Sequence, residues 1–536
     1  MIKYTPAEEL TLSLFRTPFD NALSPDNRWV RMAAVVPWDD MAKVFFKHMS
    51  HRHGRGSIDL RIVLGALLVK HVEGISDEDT IEYIQENIYA QYFVGLSSFQ
   101  TEPVFVPSLF VEIRKRLGPS GAAQLNDLLL RQAHRLKAIK HRAKPGSGSG
   151  PRQDPPAEPL KDDQEQVEPE TRASTHEPPN RGTLKLDATV APQHIGYPTD
   201  TRLLHEARQD CEQLIDELYY GVELWDKKPR TYRREARKKY LAFAKRKKPG
   251  KKAIRRARKE QLNYLRRDLN HVDKMLDELQ AAGLDCPWRH CHWQRFWVLK
   301  EVYRQQALML ADGRRRVDDR IVNIAQPYVR PIKRGKSGKA TEFGAKLNMS
   351  ETEGFCRADR IDFDNFNEGI GLQDQVEAYR ELYGYYPEAV LVDQAYLNRA
   401  NRKWLKDKGI NHYGVPLGRK PQMSRHEKAK RRKKQNKRSH VEGKFGQAKS
   451  KYGMDDIKMK REDTSYVGIH LILLALNAKK LAEEAFFSIF RAGRGAWRGL
   501  VRRLSAFKFA APAFTGVSLA LRARGHVNFT VGATTF

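Results

Sequence analysis

TLKLDATVAP, residues 183 to 192, alternates Leu184, Leu186 and Ala188 with Thr183, Lys185 and Asp187 before Pro192. A period of two residues marks a β-strand, and proline ends it, which puts Asp187 near the end of the strand. AVLVDQAYL at 389 to 397 reads as a buried central strand with Asp393 at its C-terminal end. In open α/β sheets ligands bind at that edge, although Asp393 can equally cap the turn or helix that follows. Between these lie strand-like RIVNIAQPYVRPI (320 to 332), ATEFGAKLNMS (340 to 350) and GFCRADRIDF (354 to 363), then helix-like GLQDQVEAYRELYG. NRANRKWLKDKG, a further helix, leads into INHYGVP at 410 to 416. The order strand, insert, three strands, helix, strand, helix, strand, helix predicts a layered α/β domain over 183 to about 485.

The helix after the sheet is NKRSHVEGKFGQAKSKYGM, residues 436 to 454. At 100° per residue, Arg438, Glu442 and Lys449 fall within about 40° of one another, an acid between two bases on one stripe. Val441, Phe445, Ala448 and Tyr452 form a neighbouring apolar stripe, so one face docks while the charged edge borders a cleft. Taken alone, such a charged stripe is an ordinary solvated helix surface. Asp187, Asp393 and Glu442 nonetheless supply three carboxylates from three elements. In a basic chain that set suits divalent cations beside a phosphodiester, since Mg²⁺ takes carboxylate, water and substrate oxygens. Two ions about 4 Å apart can activate the attacking oxygen and stabilise the leaving one.

The 536 residues carry 96 Lys+Arg against 65 Asp+Glu, a formal charge of +31. Such an excess favours a polyanionic partner, nucleic acid first and an anionic membrane surface second. The longest apolar run, YVGIHLILLALNA at 466 to 478, is too short to span a bilayer and suits a buried helix. The first residues lack the basic start, apolar run and cleavage site of a secretory signal, and four cysteines in so long a chain fit reduced thiols, so the protein is expected in the bacterial cytoplasm, associated with the nucleoid.

Residues 1 to 142 read as a helical domain. SIDLRIVLGALLVKHVEG, a break at Ile75 and Ser76, and DEDTIEYIQENIYAQYFVG suggest a helix-turn-helix-like pair that could contact DNA. PSLFVEIRKRLGPSG and AAQLNDLLLRQAHRLKAIKHR complete this leader. Residues 143 to 182, rich in Pro, Gly and acid, read as a disordered linker. From about 203 to 315 an insertion is helical and strongly basic, which predicts an extended arm or hairpin. Arg233, Arg234, Arg237, Lys238, Arg255 and Arg256 are its candidate phosphate contacts, joined by Arg334 and Lys336 in RGKSGK. Residues 486 to 536 read as a basic, poorly ordered tail that could grip DNA or a membrane surface.

These segments resemble the DDE transposases of bacterial insertion sequences. The resemblance rests on LKLDATVAPQHIGYPTDTRLLHEAR, QPYVRPIKRGK with TEFGAK, VLVDQAYLNRAN and RSHVEGKFGQAKSKYG, and on the leader block FVGLSSFQTEPVFVPSLFVEIRKRLG. It covers roughly 20 to 140 and 180 to 482. It implies a ribonuclease-H-like catalytic domain with Asp187, Asp393 and Glu442 as catalytic metal-binding triad, holding two Mg²⁺ ions for which Mn²⁺ can substitute. It also implies the pattern Tyr-x2-Arg-x3-Glu-x6-Lys, of which the chain keeps Arg438, Glu442 and Lys449 but places Gln435 where the tyrosine stands. The implied activity is cleavage of double-stranded DNA at the element's ends and attack of the freed 3′-hydroxyl on target DNA, with Arg438 and Lys449 holding phosphates. Synapsis of two ends implies a homodimer. A non-catalytic DNA-binding remnant and a structure-selective nuclease of the same fold are the alternatives.

Lesser constellations carry less. Cys286, His290, Cys291 and His292 match no common zinc spacing. His440 and Glu442 lack the Pro-Cys-x2-Cys of a deaminase, and RGKSGK lacks the phosphate-loop spacing. Asp200, Asp359, Asp362 and Asp364 are the acids best placed to displace a member of the triad.

Overall fold

A computed structural model describes residues 4–6, 23–48, 58–142, 178–314, 316–333, 341–418 and 424–506. Most of the expected linker, the loop carrying Arg334 and Lys336, and everything beyond Ala506 lie outside the described residues. The chain divides into two units, Met1–Ala485 and Phe486–Phe536.

The first unit opens with α1 (Arg28–Val35), α2 (Trp38–His48), α3 (Leu60–Glu73), α4 (Asp77–Glu86), α5 (Ile88–Val94) and α6 (Leu109–Arg142). α3 buries Leu60, Val63, Leu64, Leu67 and Leu68, each contributing about 1.5–3 kcal/mol. It ends at Gly74, whose φ of 70° is left-handed and costs glycine nothing. Ser76 then caps α4 in a reciprocal capping box with Asp79. The stretch DEDTIEYIQENIYAQYFVG, read as one helix, breaks at Asn87, whose side chain accepts from the amides of Tyr89 and Ala90 and so starts α5. The open edge of α4 carries Glu78, Asp79, Glu82 and Glu86, which repels phosphate and does not favour α4 as a groove-reading helix. α6 bends at Gly118 (φ 61°), just before Pro119, where the sequence places a break.

Strand β1 (Thr183–Pro192) is followed by α7 (Asp200–Gly221), α8 (Arg233–Ala244), α9 (Lys251–Ala281) and α10 (His290–Ala311). These helices are not an extended arm. Leu262, Leu265, Leu269 and Val272 recur on one face of α9 and pack against Leu204, Ala207, Cys211 and Ile215 of α7 and Phe296, Leu299 and Val302 of α10, giving the insertion its own core.

The chain returns as β2 (Pro331–Lys333), β3 (Thr341–Thr352), β4 (Phe355–Asp362), α11 (Leu372–Tyr383), β5 (Ala389–Leu391), α12 (Arg399–Asp407), β6 (Asn411–His412), α13 (Arg425–Asn436), α14 (Ser439–Tyr452) and α15 (Glu462–Ala506). The sheet runs β2-β3-β1-β5-β6, with β4 also on β3. β1 is antiparallel to β3 and parallel to β5, and β5 is parallel to β6. Much of RIVNIAQPYVRPI is turn rather than strand: Ile321, Val322 and Ile324 are buried, but Pro327 and Pro331 each withhold a ladder donor.

β1 is central and covered on both sides, which its alternation alone does not disclose. Leu184 and Leu186 pack with residues of α11 and α12, whereas Ala191, of opposite parity, joins a core containing α14, α15 and the leader. On that second face Lys185 is buried in an ion pair with Glu351, its direct cross-strand partner. Asp187 is mid-strand, not near the end, because the antiparallel ladder with β3 holds the backbone as far as Pro192. The apolar run of α15 is buried as expected, from Val467 to Ala478, and among the described residues no helix is long and apolar enough to cross a membrane. α15 continues to Ala506, so the first part of the presumed tail is helical.

The leader is fastened to the sheet by a buried polar knot. Cys356 N–H of β4 donates to Asn477 Oδ1 of α15 at 2.9 Å, and Asn477 Nδ2 donates to the Cys356 carbonyl (2.7 Å) and to Asn126 Oδ1 of α6 (2.8 Å). Asn126 Nδ2 completes the set on the same carbonyl at 3.0 Å.

Candidate active site

Parallel pairing of β1 with β5 matches Lys185 to Leu391, so Asp187 and Asp393 each lie two residues beyond the same rung. Adjacent parallel strands therefore lead both residues toward the same cavity, which both line. Strand β5 is shorter than expected: after Leu391 the chain leaves the ladder, and Asp393 caps the short turn Gln394–Tyr396, accepting from the Gln394 amide at 2.7 Å. Capping and an exposed position coexist in this residue.

α14 brings the third acid. Val441, Phe445, Ala448 and Tyr452 are buried, which turns Arg438, Glu442 and Lys449 toward a cavity of about 570 Å³. Asp187, Asp393, Glu442, Arg438 and Lys449 all line it. Residues spread over more than two hundred positions thus share one cleft. Gln435 Nε2 donates to the Val392 carbonyl at 3.0 Å, tying the end of α13 to the residue before Asp393.

Two of the carboxylates already share a cation. Arg438 Nη1 lies 3.0 Å from Asp187 Oδ2, and its Nη2 lies 3.5 Å from Glu442 Oε1. Burial raises the Asp187 carboxyl above its ordinary pKa, with Arg438 and the Ala188 amide pulling it down and Glu442 and Glu368 pushing it up. Among the described residues no three His, Cys, Asp or Glu side chains stand as a ready-made metal cage. The donors fit a hard divalent ion in kind, since all are carboxylates, and a guanidinium already occupies the cation's electrostatic place between two of them.

Sequence reading missed several residues here. Glu368 also lines the cavity and pairs with Lys346 of β3 at 3.0 Å, and Lys333 stands at the rim. Glu368 sits in NFNEGIG, a loop without periodicity, so no sequence signal marks it, whereas Lys346 was in plain view within TEFGAK. α13 presents exposed Arg425, Lys428, Arg432 and Lys433 immediately before α14, a basic row visible in RHEKAKRRKKQN.

The alternative acids are engaged elsewhere. Asp200 meets Arg320 and Arg258, and Asp359 is buried against Arg357, Ser350 and Gln375. Asp362 pairs with Arg360, and Asp364 lies 3.6 Å from Arg330. In the insertion, Arg234, Arg237, Lys238, Arg255 and Arg256 are exposed. Arg233 instead forks onto both oxygens of Asp216 at 3.0 and 2.7 Å.

Residues 17–116 match the family described as Transposase domain (DUF772), and residues 390–479 match Transposase DDE domain. The second match holds Asp393, Arg438, Glu442 and Lys449. The chain is also 29% identical over 226 residues to the uncharacterized protein ORF8 in the nfe locus of Rhizobium meliloti, covering 42% of this chain and 88% of that protein. No solved structure matches it. A leader and a carboxylate-bearing segment that both match transposase families define a DNA-transposing enzyme. Both matched segments are transposase segments, which supports recognition of the chain as a DDE transposase of an insertion sequence.

Proposed function

We propose that Asp187, Asp393 and Glu442 form the catalytic triad of a ribonuclease-H-like domain that cuts double-stranded DNA at the ends of an insertion sequence and joins the freed ends to target DNA. The observation that carries this reading is the single cavity lined by all three carboxylates together with Arg438 and Lys449. The strand order β4-β3-β1-β5-β6, antiparallel on one side of β1 and parallel on the other, supports the fold assignment.

Divalent metal, taken to be two Mg²⁺ ions replaceable by Mn²⁺, would supply Lewis-acid stabilisation of the oxygens at the scissile phosphodiester. The protein's part is placement. β1 carries Asp187, the turn that leaves β5 carries Asp393, and the buried stripe of α14 fixes the rotation at which Glu442 faces their cavity. Arg438 and Lys449 remain charged throughout and hold phosphate oxygens, a role suited to permanent cations. Exposed Arg234, Arg237, Lys238, Arg255 and Arg256 extend the basic surface, and the α13 row adds to it; Arg334 and Lys336 belong to the same proposal but lie outside the described residues. Joining two ends implies a homodimer, and the protein works in the cytoplasm on nucleoid DNA.

The test is incubation of purified protein with labelled duplex taken from the DNA flanking its own gene, with Mg²⁺ or Mn²⁺. Nicked and joined products support the reading. Salt-sensitive binding without any nicking would leave a DNA-binding remnant, and cut products that never join would indicate a nuclease.

A further inference from the structure

Away from the active-site cavity, the insertion carries a chain of alternating cations and aromatic rings. Arg230 Cζ lies 4.5 Å from the centroid of the Tyr232 ring, and Arg267 Cζ lies 4.6 Å from the same centroid. Arg267 is also 5.3 Å from the Tyr264 ring, whose hydroxyl accepts from Lys239 Nζ at 3.1 Å. Tyr232 enters α8 with a φ of 54°, in the left-handed region that L side chains rarely adopt. The residue is nevertheless 42% exposed, so hydrophobic burial alone does not account for that conformation.

Two guanidinium ions that share one ring and one cavity gather positive charge that an anion would offset. Neither Arg230 nor Arg267 makes an ion pair with a described residue, in contrast to Arg233 on Asp216, Arg208 on Glu212 and Arg258 on Asp200 in the same insertion. The two arginines, Tyr232, Tyr264, Glu235 and His271 line an open cavity of about 640 Å³. Glu235 is the carboxylate of that lining, and it leans toward Lys239 at 3.9 Å. A guanidinium held over a ring by a cation–π contact keeps N–H donors that can grip a phosphate through two parallel hydrogen bonds.

We propose that Arg230 and Arg267, gathered on Tyr232, form a phosphate clamp that takes one phosphodiester of duplex DNA. The clamp rests on the reading of the chain as an enzyme acting on DNA, and it names a grip that the charge run of the sequence does not single out. It positions the insertion on the duplex without reading base sequence.

The experiment measures binding of full-length protein to a fluorescent duplex by anisotropy over a series of salt concentrations. One lost phosphate contact lowers the log–log salt slope by about 0.9. The double variant Arg230→Gln/Arg267→Gln is expected to lose about that much slope and to weaken alike on unrelated duplex sequences. Tyr232→Leu, which keeps both charges but removes the ring, should reproduce the loss, and Tyr232→Phe should not. Arg304→Gln, an exposed α10 residue paired with Glu301, serves as the unaffected control. An unchanged slope in the double variant or in Tyr232→Leu, with wild-type circular dichroism and melting, overturns the clamp and leaves the transposase site standing. Wild-type protein that binds duplex without salt dependence overturns both the clamp and the proposed use of the basic surface. Loss of nicking by Asp393→Asn has no bearing on the clamp, so the two readings fail separately.

Discussion

Arg438 Nη1 lies 3.0 Å from Asp187 Oδ2, joining side chains 251 positions apart and fixing the start of α14 over the middle of β1. The same guanidinium reaches Glu442, so a permanent cation stands between two carboxylates assigned to metal. Metal and guanidinium compete for the same charge. Arg438→Gln is therefore expected to bind Mn²⁺ more tightly than wild type in the absence of DNA, measured by electron paramagnetic resonance of the free ion. Equal or weaker binding would show that the pair does not oppose metal.

Loss of a triad carboxylate should remove chemistry and spare binding. Asp187→Asn, Asp393→Asn and Glu442→Gln are each expected to lower nicking by more than the about 10- to 100-fold typical of losing an outer-shell partner of a metal. Duplex affinity, read by gel shift, should change little. Nicking retained by any of the three would remove that residue from the triad.

Stability should depend on pH through Asp268 of α9. It is fully buried, neither carboxyl oxygen has a hydrogen-bond partner, and burial, reinforced by Glu212, raises its pKa to about 8. An unfolded aspartate releases its proton near pH 4, so the folded form is the better proton binder between roughly pH 4 and 8. The contribution is complete below that window and is lost as pH rises through it. Asp268→Asn, neutral throughout, should gain in melting temperature relative to wild type from pH 5 to pH 8, by about 2–4 °C for each kcal/mol. A difference that stays flat across that range would mean Asp268 is already ionised in the fold.

The knot between leader and sheet gives a mutational test of their union. Asn477→Ala strands the buried Cys356 amide and should cost about 1–3 kcal/mol in urea unfolding. Asn126→Ala added to it should cost less than its own single effect, because the two amides share the Cys356 carbonyl and each other.

Much of the site could be read along the chain because its parts are locally periodic. The four-residue apolar stripe of α14 is buried as its spacing requires, and that stripe alone fixes which way Glu442 turns. Glu368 could not be read, since a single acid in an aperiodic loop differs in nothing from a solvated one. The insertion shows the same limit: its charge run announces a polyanion partner, but Arg233, picked from that run, closes on Asp216, while Arg230 and Arg267 meet on Tyr232 from different helical neighbourhoods. Charge density is a property of sequence, whereas pairing depends on which acids the packing brings near.

By itself the sequence determined a basic chain with a helical leader, an α/β sheet, a helical insertion and three acids on three separate segments, because side-chain periodicity follows directly from backbone geometry. The tertiary structure decided that β1 is covered on both faces, that Asp187 and Asp393 line one cavity, and that Arg438 stands between Asp187 and Glu442. Those relations arise from strand register and helix docking between distant segments, which free energy settles only when the whole core is assembled.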